Sequence, residues 1–203
     1  MEQNEKSPEE KSGFFPLVFR QKYIHRWGLM RNAECETLSE HAMEVAVIAH
    51  ALALIGNKLF GGQYDPERIA LLALYHDVPE VYTGDLPTPV KYFDEGSKES
   101  YRQLEDRAVD TLLAQLPAFL REDYRPLFEG GSESEHRLVK AADKLCAYIK
   151  CVEEEKCGNR EFSSAKRATL RSLQAMDCPE LHWFMENCLP AFSLTIDELQ
   201  LSK

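Results

Sequence analysis

Four residues of this chain have the types and spacing to hold one divalent cation: His41, His76, Asp77 and Asp143. Two imidazoles and two carboxylates make a mixed nitrogen and oxygen set. Such a set suits borderline ions such as cobalt, manganese, nickel, iron or zinc, and not calcium. Each residue also has a plainer reading. His41 shares a helix face with Val45, Ile48 and Leu52 at 100° per residue, where a lone histidine is more often a core imidazole bonded to a carbonyl. Asp143, with Val139 and Cys146 on its side, would otherwise be a solvated partner of Lys140 or Lys144. The doublet His76-Asp77 weighs more, because it closes the apolar helix ALLALYHD. A carboxylate at a helix C-terminus opposes the macrodipole, so a positive charge should compensate it. His50 points half a turn away from His41, and His136 stands about 10 Å along the axis from Asp143. Neither can share the ion.

Helices must position these groups, and the sequence signals them. Thr37-Leu38-Ser39-Glu40 has the form of a capping box and opens a helix through HAMEVAVIAHALALI, with a stop expected at Gly56-Asn57. Asp65-Pro66 supplies a cap and a first-turn proline for ERIALLALYHD. A third helix fits Lys98 to Gln115. A long one opens at Ser132-Glu133-Ser134-Glu135 and runs to Cys157, and two more fit Phe162–Ala175 and Glu180–Cys188. No segment alternates convincingly as a strand, so the fold class is all-α. Residues 1–12, MEQNEKSPEEKS, read as a disordered acidic tail ahead of one domain over residues 13–203.

Composition removes several classes of function. The formal charge of −10 over 203 residues argues against a nucleic-acid polymer, whose binding needs clustered Lys and Arg. A mononucleotide needs only one or two well-placed cations. The six cysteines lack CxxC spacing, which disfavours a structural zinc site. The N-terminus does not read as a signal peptide, and no apolar run approaches the roughly 18 residues of a membrane span. Reduced thiols and a cytoplasmic location, with no membrane partner, are the expectation.

The longer words around the four residues carry a resemblance. HRWGLMRN precedes Ser39-Glu40-His41, HDVPEVYTGDLPTPVKYF follows from the doublet, and KAADKLCAYIKCVEE surrounds Asp143. Over Phe14 to Ile196 the chain resembles the bacterial 5′-deoxynucleotidase family of the HD-domain metal phosphohydrolase superfamily. The resemblance implies a single all-α HD-domain bundle, usually a homodimer. It implies hydrolysis of deoxyribonucleoside 5′-monophosphates, small-molecule substrates, to deoxyribonucleosides and phosphate. One divalent ion is implied, cobalt or manganese first, with zinc, nickel, copper or iron as alternatives.

The resemblance makes His41, His76, Asp77 and Asp143 the metal ligands, with His41, Asp77 and Asp143 also facing the substrate. It makes Glu80 the catalytic acid/base and Arg26 the phosphate-orienting cation. Trp27 would sit against the deoxyribose, and Asp85, Leu86, Pro87 and Thr88 would line the nucleoside pocket. Residue chemistry agrees in most places. Glu80 is i+4 to His76 and i+3 to Asp77, and Arg26 offers the planar fork that phosphate favours. Pro79 is the awkward residue: either the helix ends at Val78 and a new turn begins, or it kinks there. Two rivals stand beside this reading. A nucleoside polyphosphate, cyclic-nucleotide or guanosine-tetraphosphate hydrolase would want more cations than Arg26, Arg31 and Lys91. A non-catalytic scaffold would have no need for intact ligands and Glu80.

Overall fold

The structure, a computed structural model, describes residues 12–91 and 93–201, apart from the side chains at 88, 89 and 201. Among these residues the α-helices in chain order are α1 (Phe14–Val18), α2 (Leu38–Leu59), α3 (Pro66–Tyr75), α4 (Glu80–Thr83), α5 (Thr88–Lys91), α6 (Glu95–Ala114), α7 (Ala118–Phe128), α8 (Glu133–Lys156), α9 (Ser163–Gln174), α10 (Pro179–Asn187) and α11 (Ile196–Leu201). The all-α expectation holds: no strand occurs among them, only an isolated antiparallel bridge between His25 and Thr37. The acidic tail lies outside the described residues except for Ser12, whose hydroxyl donates to the Gln115 carbonyl at 2.9 Å.

The caps form as the sequence signals them. Thr37 Oγ1 accepts from the Glu40 N–H at 3.3 Å, and Glu40 Oε2 accepts from the Thr37 N–H at 2.7 Å. Ser132 and Glu135 repeat this box at the start of α8, at 3.2 and 2.6 Å. Asp65 accepts from Arg68 N–H at 3.0 Å ahead of Pro66. Each such cap is worth about 1 kcal/mol. They fix where the helices that carry His41 and Asp143, and the one that leads to His76, begin.

Several ends differ from the expectation. α2 runs three residues past Gly56, to Leu59. A Cβ on Gly56 would lie 2.6 Å from the Tyr64 ring, so this glycine permits a close approach rather than a stop. α3 ends at Tyr75, with His76 as its cap, so the doublet lies just beyond the helix. α6 starts earlier, at Glu95, because Asp94 caps it through the Ser97 N–H at 2.6 Å. α7, unforeseen in the sequence, contains Pro126 and buries none of its residues fully. One composition reading also needs narrowing. Among the described residues α2 is long and apolar enough to cross a membrane, with a mean hydropathy of 1.4 despite its interrupting polar residues. Its buried side is core, packed on α3 and α8.

Two apolar cores meet at the doublet. The larger joins Val45, Ile48 and Leu52 of α2 to Leu72 of α3, Leu138 and Leu145 of α8, Leu173 of α9 and Leu181 of α10. The smaller gathers Phe14, Val78, Leu112, Leu113 and Leu116, with Tyr75 packed against it. Residues 72–78 thus pass from one core to the other. His76 and Asp77 are held by packing at both ends.

Candidate active site

His41 leaves α2 fully buried, its Nε2 3.1 Å from Asp143 Oδ1 and 3.7 Å from Asp77 Oδ2. His76 Nδ1 faces the Ala73 carbonyl at 2.6 Å, and its Nε2 lies 3.1 Å from Asp77 Oδ2. A nitrogen–carbonyl contact requires Nδ1 to carry a proton, so in the neutral ring Nε2 is the lone-pair atom. That Nε2 is buried without a hydrogen-bond partner. One potential donor atom from each of His41, His76 and Asp143 lies within 4.8 Å of the other two. The structure therefore brings the four sequence-chosen residues together from α2, the end of α3 and α8. His136 is elsewhere, against Gly131.

The electrostatics fit a cation. Burial alone would lower the His76 pKa, but the Asp77 carboxylate beside it raises it to about 9. Burial pushes Asp77 upward, and His76, His41 and Arg26 outweigh it and hold it below the usual carboxylate range. His41 is likewise raised by Asp143 and Glu36 against the effect of burial. Protons on the imidazoles balance the carboxylates here; a divalent ion would take their place and release them. The donors are two imidazoles and two carboxylates, one imidazole nitrogen being already aimed and unpartnered, so the residues present suit a borderline divalent metal. Asp143 keeps 37% of its side chain exposed, so the cluster opens to solvent on that side.

Arg26 and Trp27 come to this cluster on the loop closed by the His25–Thr37 bridge. Arg26 N–H bonds the Glu36 carbonyl at 2.9 Å, and Leu38 N–H bonds the Ile24 carbonyl at 2.9 Å. Arg26 Nη1 is then 3.4 Å from Asp77 Oδ2 and 3.9 Å from Asp85 Oδ1. Trp27 stacks at a tilt on Phe162, ring centroids 5.2 Å apart. Gly84, at φ +72°, ends α4 in a left-handed turn that returns Asp85 toward Arg26. Leu86 and Pro87 are half-buried beside it, and the Pro87 carbonyl accepts from Val90 N–H at 2.8 Å. The Thr88 side chain lies outside the described residues.

Glu36 was not singled out in the sequence, where a glutamate five residues before a histidine looks like any solvated charge. It is buried, and three site residues meet on it. Its Oε2 accepts Trp27 Nε1–H at 2.8 Å, while its Oε1 lies 3.3 Å from His41 Nδ1 and 3.5 Å from Arg26 Nε. A carboxylate behind a ligating histidine fixes its tautomer and orientation.

Pro79 resolves differently from either expected outcome. After Tyr75 the chain takes i→i+3 bonds, Val78 N–H to Tyr75 O at 3.2 Å and Glu80 N–H to Asp77 O at 3.0 Å, and α4 starts with Pro79 as its cap. The proline's missing N–H falls where no helical bond is needed. Glu80 is then buried, and Lys91 Nζ donates to its Oε1 at 2.6 Å. Lys91 in turn lies 4.7 Å over the Tyr101 ring. Burial and the nearby Asp77 push Glu80 up to about 7, against the opposing Lys91 charge. The sequence offered Lys91 only as a cation in the neighbourhood.

Residues 13–192 match the model of the YfbR-like 5′-deoxynucleotidase family. The chain belongs to that family. A 5′-deoxynucleotidase of Photobacterium profundum is 46% identical over 192 residues, covering 94% of this chain and 99% of that protein. One from Erwinia tasmaniensis is 49% identical over 190 residues, covering 93% and 96%. Family membership makes the chain a hydrolase with a 5′-deoxynucleotidase's activity. The fold is shared with an HD-domain phosphohydrolase of Listeria innocua, at a TM-score of 0.77 and 22% identity over 88% of this chain and 87% of that one. It is also shared with the cyanophage S-2L HD phosphohydrolase, seen bound to dA and one catalytic Zn²⁺, at 0.65 and 20% over 86% and 95%.

Proposed function

We propose that His41, His76, Asp77 and Asp143 hold one divalent ion, cobalt or manganese, and that the site hydrolyses deoxyribonucleoside 5′-monophosphates on it. The observation that carries this reading is His76: Nδ1 committed to the Ala73 carbonyl, Nε2 buried without a hydrogen-bond partner and 3.1 Å from Asp77 Oδ2. When bound, such an ion supplies Lewis-acid charge and acidifies water at neutral pH.

The chain's own residues do the rest. Arg26, held among Glu36, Asp77 and Asp85, presents its guanidinium to the 5′-phosphate and fixes it in line for attack. Glu80, with a pKa near 7, moves the proton, either from the water or toward the leaving 5′-oxygen. Lys91 orients it through Oε1. Trp27 forms the wall against C2′, its indole N–H already spent on Glu36 and so unable to greet a ribose hydroxyl. Asp85, Leu86, Pro87 and Thr88 line the nucleoside side.

The enzyme works, on this reading, as a homodimer in the cytoplasm. Free thiols at all six cysteines support the compartment, and an exposed stripe of Met43, Val47 and Leu54 on α2 supports a partner copy. Phosphate release from a panel of deoxy- and ribonucleotides, with and without added cobalt or manganese, tests the reading. Metal-dependent release from dAMP well above AMP is expected. Release of pyrophosphate or triphosphate from dATP instead would overturn the substrate assignment.

A further inference from the structure

The word KAADKLCAYIKCVEE contains two buried charges that the metal site does not use, Lys150 and Glu154, 7% and 1% exposed. With Asp143 they stand at i, i+7 and i+11 of α8, on one face of the helix. Lys150 Nζ donates to Glu154 Oε1 at 2.6 Å and to the Glu34 carbonyl. Glu154 Oε2 accepts the Ala33 N–H at 2.8 Å and the Asn159 amide at 2.7 Å, while its Oε1 also accepts the Glu34 N–H at 3.3 Å. Asn159 Nδ2 reaches on to the Arg31 carbonyl at 2.6 Å. Every one of these backbone groups belongs to the loop that carries Arg26, Trp27 and Glu36.

That loop needs holding. Trp27 sits at φ +59°, a left-handed conformation that a bulky side chain keeps only when its surroundings over-determine it. Four N–H donors converge on the two oxygens of Glu154, so only an acceptor-only side chain satisfies them. A pair kept solely for stability could be replaced by apolar groups. This one is bonded into a single functional loop, from the same helix face that presents Asp143.

We propose that Lys150 and Glu154 are positioning residues that register the loop of Arg26 and Trp27 against Asp143, and so set the preference for deoxyribose without touching substrate. The proposal rests on the roles given above to Arg26 and Trp27. Its test uses Glu154→Gln and Lys150→Met in a Trp183→Phe background, where Trp27 is the sole indole. Cobalt content should stay at the parent level. kcat/KM for dAMP should fall by roughly tenfold or more, the scale of a small misplacement remote from the chemistry, with AMP falling less. Trp27 emission should become more open to acrylamide quenching. A variant with parent helical signal, parent quenching and parent dAMP-over-AMP ratio overturns the proposal; so does equal loss on both nucleotides with cobalt lost. Glu154→Gln, nearly isosteric, decides the matter if Lys150→Met does not fold. If the parent itself releases no phosphate from dAMP, the activity reading fails, while the quenching comparison still decides whether the pair holds the loop.

Discussion

Glu80, buried, and Asp77, half-buried, are carboxylates near one cluster, and their environments drive them in opposite directions. Asp77 has His76, His41 and Arg26 around it and stays ionised, while Glu80 has one lysine against burial and Asp77 and rises to about 7. Pairs separated in this way divide into a charge holder and a proton carrier. Glu80→Gln should therefore keep its cobalt and lose at least ~10²-fold in kcat, the usual scale for a positioned acid/base. Steady-state kinetics beside elemental analysis reads both; unchanged turnover removes Glu80 from the proton path. Trp27→Ala should admit AMP and lower the dAMP-over-AMP ratio of kcat/KM with metal content unchanged. Burying an unpaired 2′-hydroxyl costs about 1–3 kcal/mol, so a ratio change of roughly 5- to 150-fold is expected. Equal losses on both nucleotides would make Trp27 a packing residue. That His41, His76, Asp77 and Asp143 converge was legible because histidine and aspartate beside apolar helical residues stand out locally. Glu36 and Lys91 were not, since their partners lie five or more residues away and meet them only once the loops close.

At the scale of elements, caps and first turns could be read directly, because both partners of a capping box sit within four residues. Ends were harder. Gly56 is required by the Tyr64 ring, a contact set by tertiary packing, and Pro79 shapes a turn that began three residues earlier than expected. The tie between α8 and the loop of Arg26 has a pH signature. Burial works against charge on Glu154, yet Lys150, the Ala33 N–H and Asn159 outweigh it and hold it down to about 2. A lowered pKa contributes stability that is present above the ordinary carboxylate pKa near 4.5 and is lost as pH falls through 2. The stability gap between parent and Glu154→Gln in urea unfolding should thus be largest near neutral pH, at most about 3 kcal/mol, and shrink from pH 4.5 toward 2. A gap that does not change with pH would mean that the Glu154 charge takes no part in the tie.

Across the whole molecule, the fold class was legible in the sequence and the surfaces were not. The net charge of −10 says nothing of where α2 exposes apolar area, and Met43, Val47 and Leu54 remain exposed at 53%, 61% and 39%. If that stripe pairs two copies, sedimentation should give twice the chain mass of 23.3 kDa, and Val47→Glu should shift it to the single mass. A parent that sediments as one chain at micromolar concentration would dismiss the dimer. Two cores meet at residues 72–78, so each side of the doublet is anchored in a separate apolar cluster. Everything else in the account depends on the four residues acting as one metal site. The most direct measurement is cobalt content together with phosphate release from dAMP for Asp143→Ala and His136→Ala. Asp143→Ala is expected to lose both, while His136→Ala keeps one cobalt per chain and its turnover. An Asp143→Ala protein that retains cobalt and still hydrolyses dAMP would contradict it.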